Sequence, residues 1–408
     1  MTVRSPAVAA VLLVGGRHPA AARAARRAGL RVHYLGARDE APSWLEGEAD
    51  AVTLLDTLDV ESVTAAAGDI HVTQPFDVAI SMSDACVEAV AVVNERLGLI
   101  ANSPRTARTV NDKALMREVL RDSGVASVAA ARVTTGEQAK QFPAEAGYPF
   151  ILKPVDGSGS RGVTLVPDAE SLADAVAHTV GSASGTWIAE EYLRGPEFSV
   201  ETFSAGGEHH LLAVTEKFKG ANFVEVGHLV PARIASETVR ALADEAVACL
   251  DAVGLLEGPA HTELILTDKG PRVVETHARP GGDGIVELVR LATGLDAQQL
   301  TFDWLAGRPL DLDVARHEIR AAATWFLTPH PGTVADVGGL REALTEEGVT
   351  EAYLAVAPGD VIGELRSSSD RAGAVIAAAD TPDAALDRAR VAAGRLQVGV
   401  TSETAPAS

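Results

Sequence analysis

The sequence predicts a protein of mixed class, α/β and α+β, with a parallel α/β unit first and a small α+β section last. Three observations carry this. Residues 8–100 alternate short apolar runs with alanine-rich stretches, the rhythm of a parallel sheet crossed by helices. From Ser103 the chain changes to strand-like pairs joined by glycine-rich turns. From about Glu318 the elements shorten, and the chain ends in a polar tail, Thr401–Ser408, expected to be disordered. A chain of 408 residues is too long for one core, so two to four subdomains are expected.

In the first unit the strand candidates are Ala10–Val14, Val32–Leu35, Ala51–Leu54 and Asp77–Ser81. Ala20 to Gly29 reads as a helix ended by glycine. Gly15-Gly16 lacks the spacing of a dinucleotide fingerprint, and no suitable acid closes the second strand, so a plain α/β turn is expected. The same glycines break the apolar segment Pro6–Gly16, which is short for a signal peptide.

Apolar residues are 47% and charged residues 22%, ordinary for a soluble globular protein. A formal charge of −21 argues against nucleic acid as partner, while a few local Lys and Arg residues can still dominate one cleft. No run approaches the roughly 20 apolar residues that cross a bilayer, so no membrane is expected. Cys86 and Cys249 form no metal or disulfide pattern, which points to a cytoplasmic location.

In the second section, Asn111–Ser123 reads as a helix with Asn111 as its cap. Strands are expected over Phe150–Lys153 and Val163–Val166, entering Glu190, and over Phe198–Phe203 and Leu211–Glu216. Ser236–Val253 is an amphipathic helix, with Val239, Leu242, Ala246, Val247, Leu250 and Val253 at helical spacing.

The chemistry is concentrated between His261 and Arg279. Two β-rich runs flank Thr267-Asp-Lys-Gly-Pro271, the signature of a hairpin. With the turn centred on Lys269, Glu263 faces Glu275. Opposed side chains lie about 4.5–5.5 Å apart at Cβ, and like charges there destabilise a sheet. A divalent cation such as Mg2+ turns that repulsion into a binding site. Alternation puts Glu275, His277 and Arg279 on one face, and Gly281-Gly282 offers unobstructed amides for an oxyanion. A solvated hairpin face with scattered charge is the plainer reading of these residues.

Lys153 precedes a loop containing Gly157, Ser158, Gly159, Ser160 and Gly162. A strand follows it rather than a helix, which removes the Rossmann reading, and no GK[ST] is present for a Walker A. Such a loop between antiparallel strands can fold over phosphates, with Lys153 as point charge. Glu190-Glu191-Tyr192-Leu193 reads either as an edge strand ending at a Gly-Pro turn or as a nucleotide site whose backbone meets an adenine edge, with Glu197 accepting ribose hydroxyls.

Taken in order, these elements resemble the ATP-grasp superfamily. The resemblance implies ATP and Mg2+ as cofactors, with Mn2+ as an alternative ion. Lys113 and Lys153 are then phosphate contacts, the 157–162 loop the mobile phosphate loop, and Glu190 to Leu193 the adenine hinge. Glu197 becomes the ribose carboxylate, Glu263 and Glu275 the metal ligands, and Arg279 the arginine that follows them. His277 stands where the family commonly has Asn. Phe223–Pro231, with Lys217 upstream, is most like the L-amino acid ligase branch. By that resemblance Glu225 and His228 are candidates for contacting the amino acid or the transferred phosphate; a polar lid loop is the alternative.

His330-Pro-Gly-Thr333, Pro358-Gly359 and Ser369–Gly373 resemble the C-terminal domain of biotin-carboxylase-like members. The implied domains are 1–105, 106–317 with a mobile lid at about 125–190, 318–400, and the tail 401–408. The implied activity is ADP-forming ligation of a carboxylate, activated as an acyl phosphate, to an amine, with small-molecule substrates and a homodimer left open. A carboxylase subunit or a purine-pathway ligase are the alternatives within the superfamily, and a nucleotide-binding protein without catalysis lies outside it.

Overall fold

The computed structural model describes residues 7–16, 18–126, 128–180, 185–310, 312 and 320–401. Its N-terminal unit holds four parallel strands in the order Ala51–Leu55, Arg31–Ala37, Ala10–Val14, Val78–Ile80. Ala10–Val14 is buried along its whole length, as expected for a strand covered on both faces. Leu12 and Val14 pack with Val63, Ala67 and Val93, and Val11 and Leu13 with Ala21, Ala24 and Ala25. The helix Asp84–Leu97 leaves the last of these strands and carries Asp84 at its first turn.

The single helix expected over 111–123 is corrected to two. Pro104–Asn111 and Lys113–Asp122 meet at Asp112, and the cap is Asp112 rather than Asn111. The Asp112 carboxylate accepts the backbone N–H groups of Ala114 and Leu115, both at 3.0 Å, satisfying donors that the helix start leaves open. Asn111 instead donates its side-chain amide to the Asp84 carbonyl at 3.0 Å.

A second, antiparallel sheet orders Ala130–Val133, Trp187–Glu191, Phe150–Pro154 and Thr164–Val166 around its own core of Phe142, Phe150, Leu152, Val166 and Trp187. The largest sheet has eight antiparallel strands: Gly270–His277, Gly258–Thr267, Glu197–Ala205, Glu208–Lys219, Glu225–Val230, Ala321–Leu327, Gly373–Ala379 and Val349–Leu354. The helix Ser236–Val253 has the bounds read from sequence and packs Leu242, Ala246, Leu250 and Val253 against Val200, Leu264 and Val273. The last three strands belong to the expected C-terminal section, so one sheet runs through both regions. A three-stranded sheet, Val361–Ile362, Gly332–Gly338 and Gln397–Thr401, completes that section. The expected boundary at 317–318 and residues 402–408 of the expected tail lie outside the described residues, while Thr401 pairs with Thr333. Among the described residues no helix is long and apolar enough to cross a membrane.

The hairpin register differs from expectation in a way that preserves its consequence. Thr267 pairs with Gly270 and Leu264 with Val273, so the turn is tighter by one residue than a turn centred on Lys269. A bulge beyond Glu263 then absorbs Val274, and from there Glu263 faces Glu275, Thr262 faces Thr276 and His261 faces His277. Arg117 holds the bulge. Its guanidinium donates to the Val273 carbonyl at 2.5 Å, to the Val274 carbonyl at 3.1 Å and to Glu190 at 2.6 Å. Replacing this buried guanidinium by an apolar chain strands both carbonyls and leaves Glu190 with Lys153 as its remaining cation. Arg117→Met should therefore lower unfolding free energy by about 3–5 kcal/mol, read from the denaturant midpoint.

Candidate active site

A cavity of about 400 Å3 opens between the four-stranded and eight-stranded sheets. From the first come Lys153, the Gly157–Ser160 stretch and Glu190 to Leu193; from the second come Glu197, Lys217, Glu225, His228, Glu263, Glu275, His277, Arg279 and Gly282. Lys113 enters from the first turn of its helix. The structure thus gathers nearly every residue singled out from sequence. Gly162 and Gly281 are the two that stand outside the lining. A Cβ on Gly281 would lie 2.9 Å from Ile285 and 3.0 Å from His261, so close packing explains that glycine. Apolar walls face each other across the cavity, Ile151 and Val163 on one side, Ile265 and Val274 on the other.

Both glutamates of the hairpin pair are matched by cations. Glu275 meets the Lys113 ammonium at 2.8 Å and the His277 Nε2 at 3.0 Å. Glu263 meets Lys217 at 2.5 Å and the His261 Nε2 at 3.1 Å. Lys217 also lies 3.3 Å from Glu197 and 3.1 Å from Glu225, so its ammonium sits among three carboxylates whose oxygens fall within 4.8 Å of one another. Burial works to raise the carboxyls of Glu263 and Glu275, and the lysines and histidines against them outweigh it, holding both ionised. Burial likewise opposes the charge on Lys113 and Lys217, and the surrounding carboxylates overcome it. His261 lies 2.9 Å from Glu201; despite burial, that carboxylate pushes its ring up to about 9.

The phosphate-loop candidate begins where Lys113 donates to the Gly157 carbonyl at 2.6 Å. Gly159, Ser160 and Gly162 all have positive φ. The loop has more to pack with than its composition suggests: the Ser368 amide donates to the Gly159 carbonyl at 3.0 Å, and the Ser160 hydroxyl to the Phe223 carbonyl at 3.2 Å. The sequence reading missed Arg117, Asp84, Lys219, Glu201 and the Arg371–Asp283 pair. Lys219 pairs with Glu197, and Arg371 grips Asp283 at 2.6 and 2.9 Å. Arg371 lies in the Ser369–Gly373 motif, but its pairing with Asp283 and the contacts of the others appear only in the folded structure.

Residues 324–401 match the family described as L-amino acid ligase C-terminal domain 2, and residues 146–287 match the ATP-grasp domain. An L-amino acid ligase from Bacillus licheniformis shares the fold, with a TM-score of 0.82 at 25% identity over 97% of this chain and 100% of that one. The chain carries an ATP-grasp domain and an L-amino acid ligase C-terminal domain. Among its relatives, an alanine–anticapsin ligase from Bacillus subtilis (strain 168) is 30% identical over 243 residues, 53% of this chain. The match spans about half of that relative, 52% of its length. An L-arginine-specific L-amino acid ligase from Bacillus subtilis is 23% identical over 339 residues, 79% of this chain and 80% of the relative.

Within the ATP-grasp domain Glu190 reaches inward with its side chain, meeting Lys153 at 2.6 Å and Arg117 at 2.6 Å. Burial raises the Glu190 carboxyl, but Arg117 and Lys153 outweigh it and pull it down to about 2. A carboxyl depressed in the folded state gives stability that is full above its ordinary value of 4.5 and drains away as pH falls toward about 2. Glu190→Gln has nothing to titrate there. Its own stability should be lower at neutral pH, and its loss between pH 4.5 and 2 should be shallower than that of the parent in acid-unfolding curves.

Proposed function

We propose that this protein is an ADP-forming ligase that activates an amino acid carboxylate as an acyl phosphate and couples it to an amine. The observation that carries this is the opposed pair Glu263 and Glu275 on the cavity wall, each matched by a lysine that can turn toward phosphate. Hard carboxylate oxygens facing one another suit Mg2+, and Mn2+ fits the same donors. Glu263 and Glu275 would hold the ion, which would supply positive charge against the phosphates.

The protein's own groups divide the remaining work. Lys113 and Lys153 supply positive charge beneath the glycine loop, and the loop's backbone covers the phosphates. The apolar walls suit a base, with Glu191, Tyr192 and Leu193 along its edge and Glu197 placed for ribose hydroxyls. Arg279 stabilises charge that grows on the transferred group and on the carbonyl oxygen when the amine attacks, with the Gly282 amide beside it. Glu225 and His228 line the same cavity; His228 is buried with its Nε2 3.7 Å from the Asp283 carboxylate, beyond hydrogen-bond distance, which leaves the ring open to a substrate polar group. Neither cysteine lines the cavity, in keeping with chemistry that uses no thiol nucleophile.

A screen of amino acid pairs for ADP and phosphate release, with product mass confirmed, tests the reading directly; no release with any carboxylate–amine pair overturns it. Glu263→Gln and Glu275→Gln should each lower kcat on the order of a hundredfold or more while the fold persists. Arg279→Ala should lose about a hundredfold in kcat at saturating ATP with little change in the KM for ATP; a raised KM with intact kcat would reduce Arg279 to a ground-state binder.

A further inference from the structure

The residue with the most direct hold on Arg279 comes from the N-terminal unit, 195 positions earlier in the chain. One Asp84 oxygen accepts from the Arg279 Nη2 at 2.5 Å, and the other lies 3.0 Å from the His277 Nδ1. His277 in turn places its Nε2 3.0 Å from Glu275, and Arg279 donates its Nη1 to the Pro280 carbonyl at 2.8 Å. The guanidinium is thus held at both terminal nitrogens, and Asp84 is its one carboxylate partner among the described residues. Asp84 itself does not line the cavity. It is anchored from behind, since its carbonyl accepts from Asn111 and it sits in the first turn of a helix, where negative charge is favoured.

We propose that Asp84 is a positioning residue for the ligation chemistry, fixing the Arg279 guanidinium and the His277 ring in one arrangement at the cavity wall. The inference rests on the role assigned to Arg279 above. It goes beyond an interdomain staple, because that task is already met by apolar packing: Val87 and Ala91 of the same helix pack with Ala107 and Ala278. A charge-assisted pair to a planar fork adds orientation, which such apolar contact does not supply. Arginine that must meet a charge present only in the transition state gains most from being held in place beforehand.

The test compares Asp84→Asn, which keeps the shape and removes the charge, with Asp84→Glu, which keeps the charge. Reaction of Arg279 with phenylglyoxal, located by mass spectrometry, should accelerate about tenfold in Asp84→Asn, because a hydrogen bond to a charged partner is lost. At saturating ATP its kcat should fall about tenfold or more, while the Kd for a non-hydrolysable ATP analogue with Mg2+, from calorimetry, stays within about threefold. Asp84→Glu should recover much of that rate. In an Arg279→Ala background, Asp84→Asn should cost much less than in the parent, leaving only its effect through His277, since residues acting as a unit are not additive. Unchanged Arg279 reactivity, or a rate loss that adds fully to that of Arg279→Ala, overturns the proposal. If the parent turns over no substrate pair, the ligase reading fails instead, and Arg279 reactivity alone still decides whether Asp84 holds it.

Discussion

Two carboxylates facing each other across a hairpin in a protein interior require counter-charge, and much of this molecule is arranged to deliver it. Glu263 and Glu275 lie in register and are both largely buried, a placement that like charges resist. Lys113 reaches Glu275 because Asp112 starts a new helix at that point. Lys217 reaches Glu263 from the second strand away, passing Glu197 on the strand between them. Each cation therefore comes from a different element, and the elements cannot drift apart without baring a charge.

The same requirement explains the supporting residues. Arg117 satisfies the bulge carbonyls that bring the two glutamates level, and through Glu190 it also fixes Lys153. His261 and His277 each contact one of the paired glutamates and pass the interaction outward to Glu201 and Asp84, while their rings stack with centroids 6.0 Å apart. Buried ionic groups of this sort gain specificity of arrangement more surely than net stability.

What the sequence made legible was local. The glutamate pair, the loop beside Lys153 and the helix Ser236–Val253 follow from spacing within short segments, where strand and helix periods act directly. The glutamates were matched correctly although the turn was placed one residue off, because the bulge at Val274 compensates, and a bulge leaves no composition signal. Asp112 was passed over for Asn111 because both are good caps and only the break between two helices tells them apart. Asp84 and Arg117 were invisible for another reason: their partners lie 195 and 156 positions away, and a lone acid or arginine on a helix reads as surface.

The continuous eight-stranded sheet sets a rule for recombining this chain with its relatives. Glu225–Val230 pairs directly with Ala321–Leu327, whose inner residues Ala321, Ala322 and Ala323 are fully buried. A graft that exchanged everything after residue 320 would have to rebuild that strand seam in register, together with the grip of Arg371 on Asp283. Substitution of the N-terminal unit must rebuild the packing of Phe302 and Leu305 against Val11 and Ala24, and Asp84 must be carried across with it. Crossovers are thus best placed within exposed turns inside one sheet region, and the C-terminal strands are inherited as part of the catalytic body rather than as an exchangeable module.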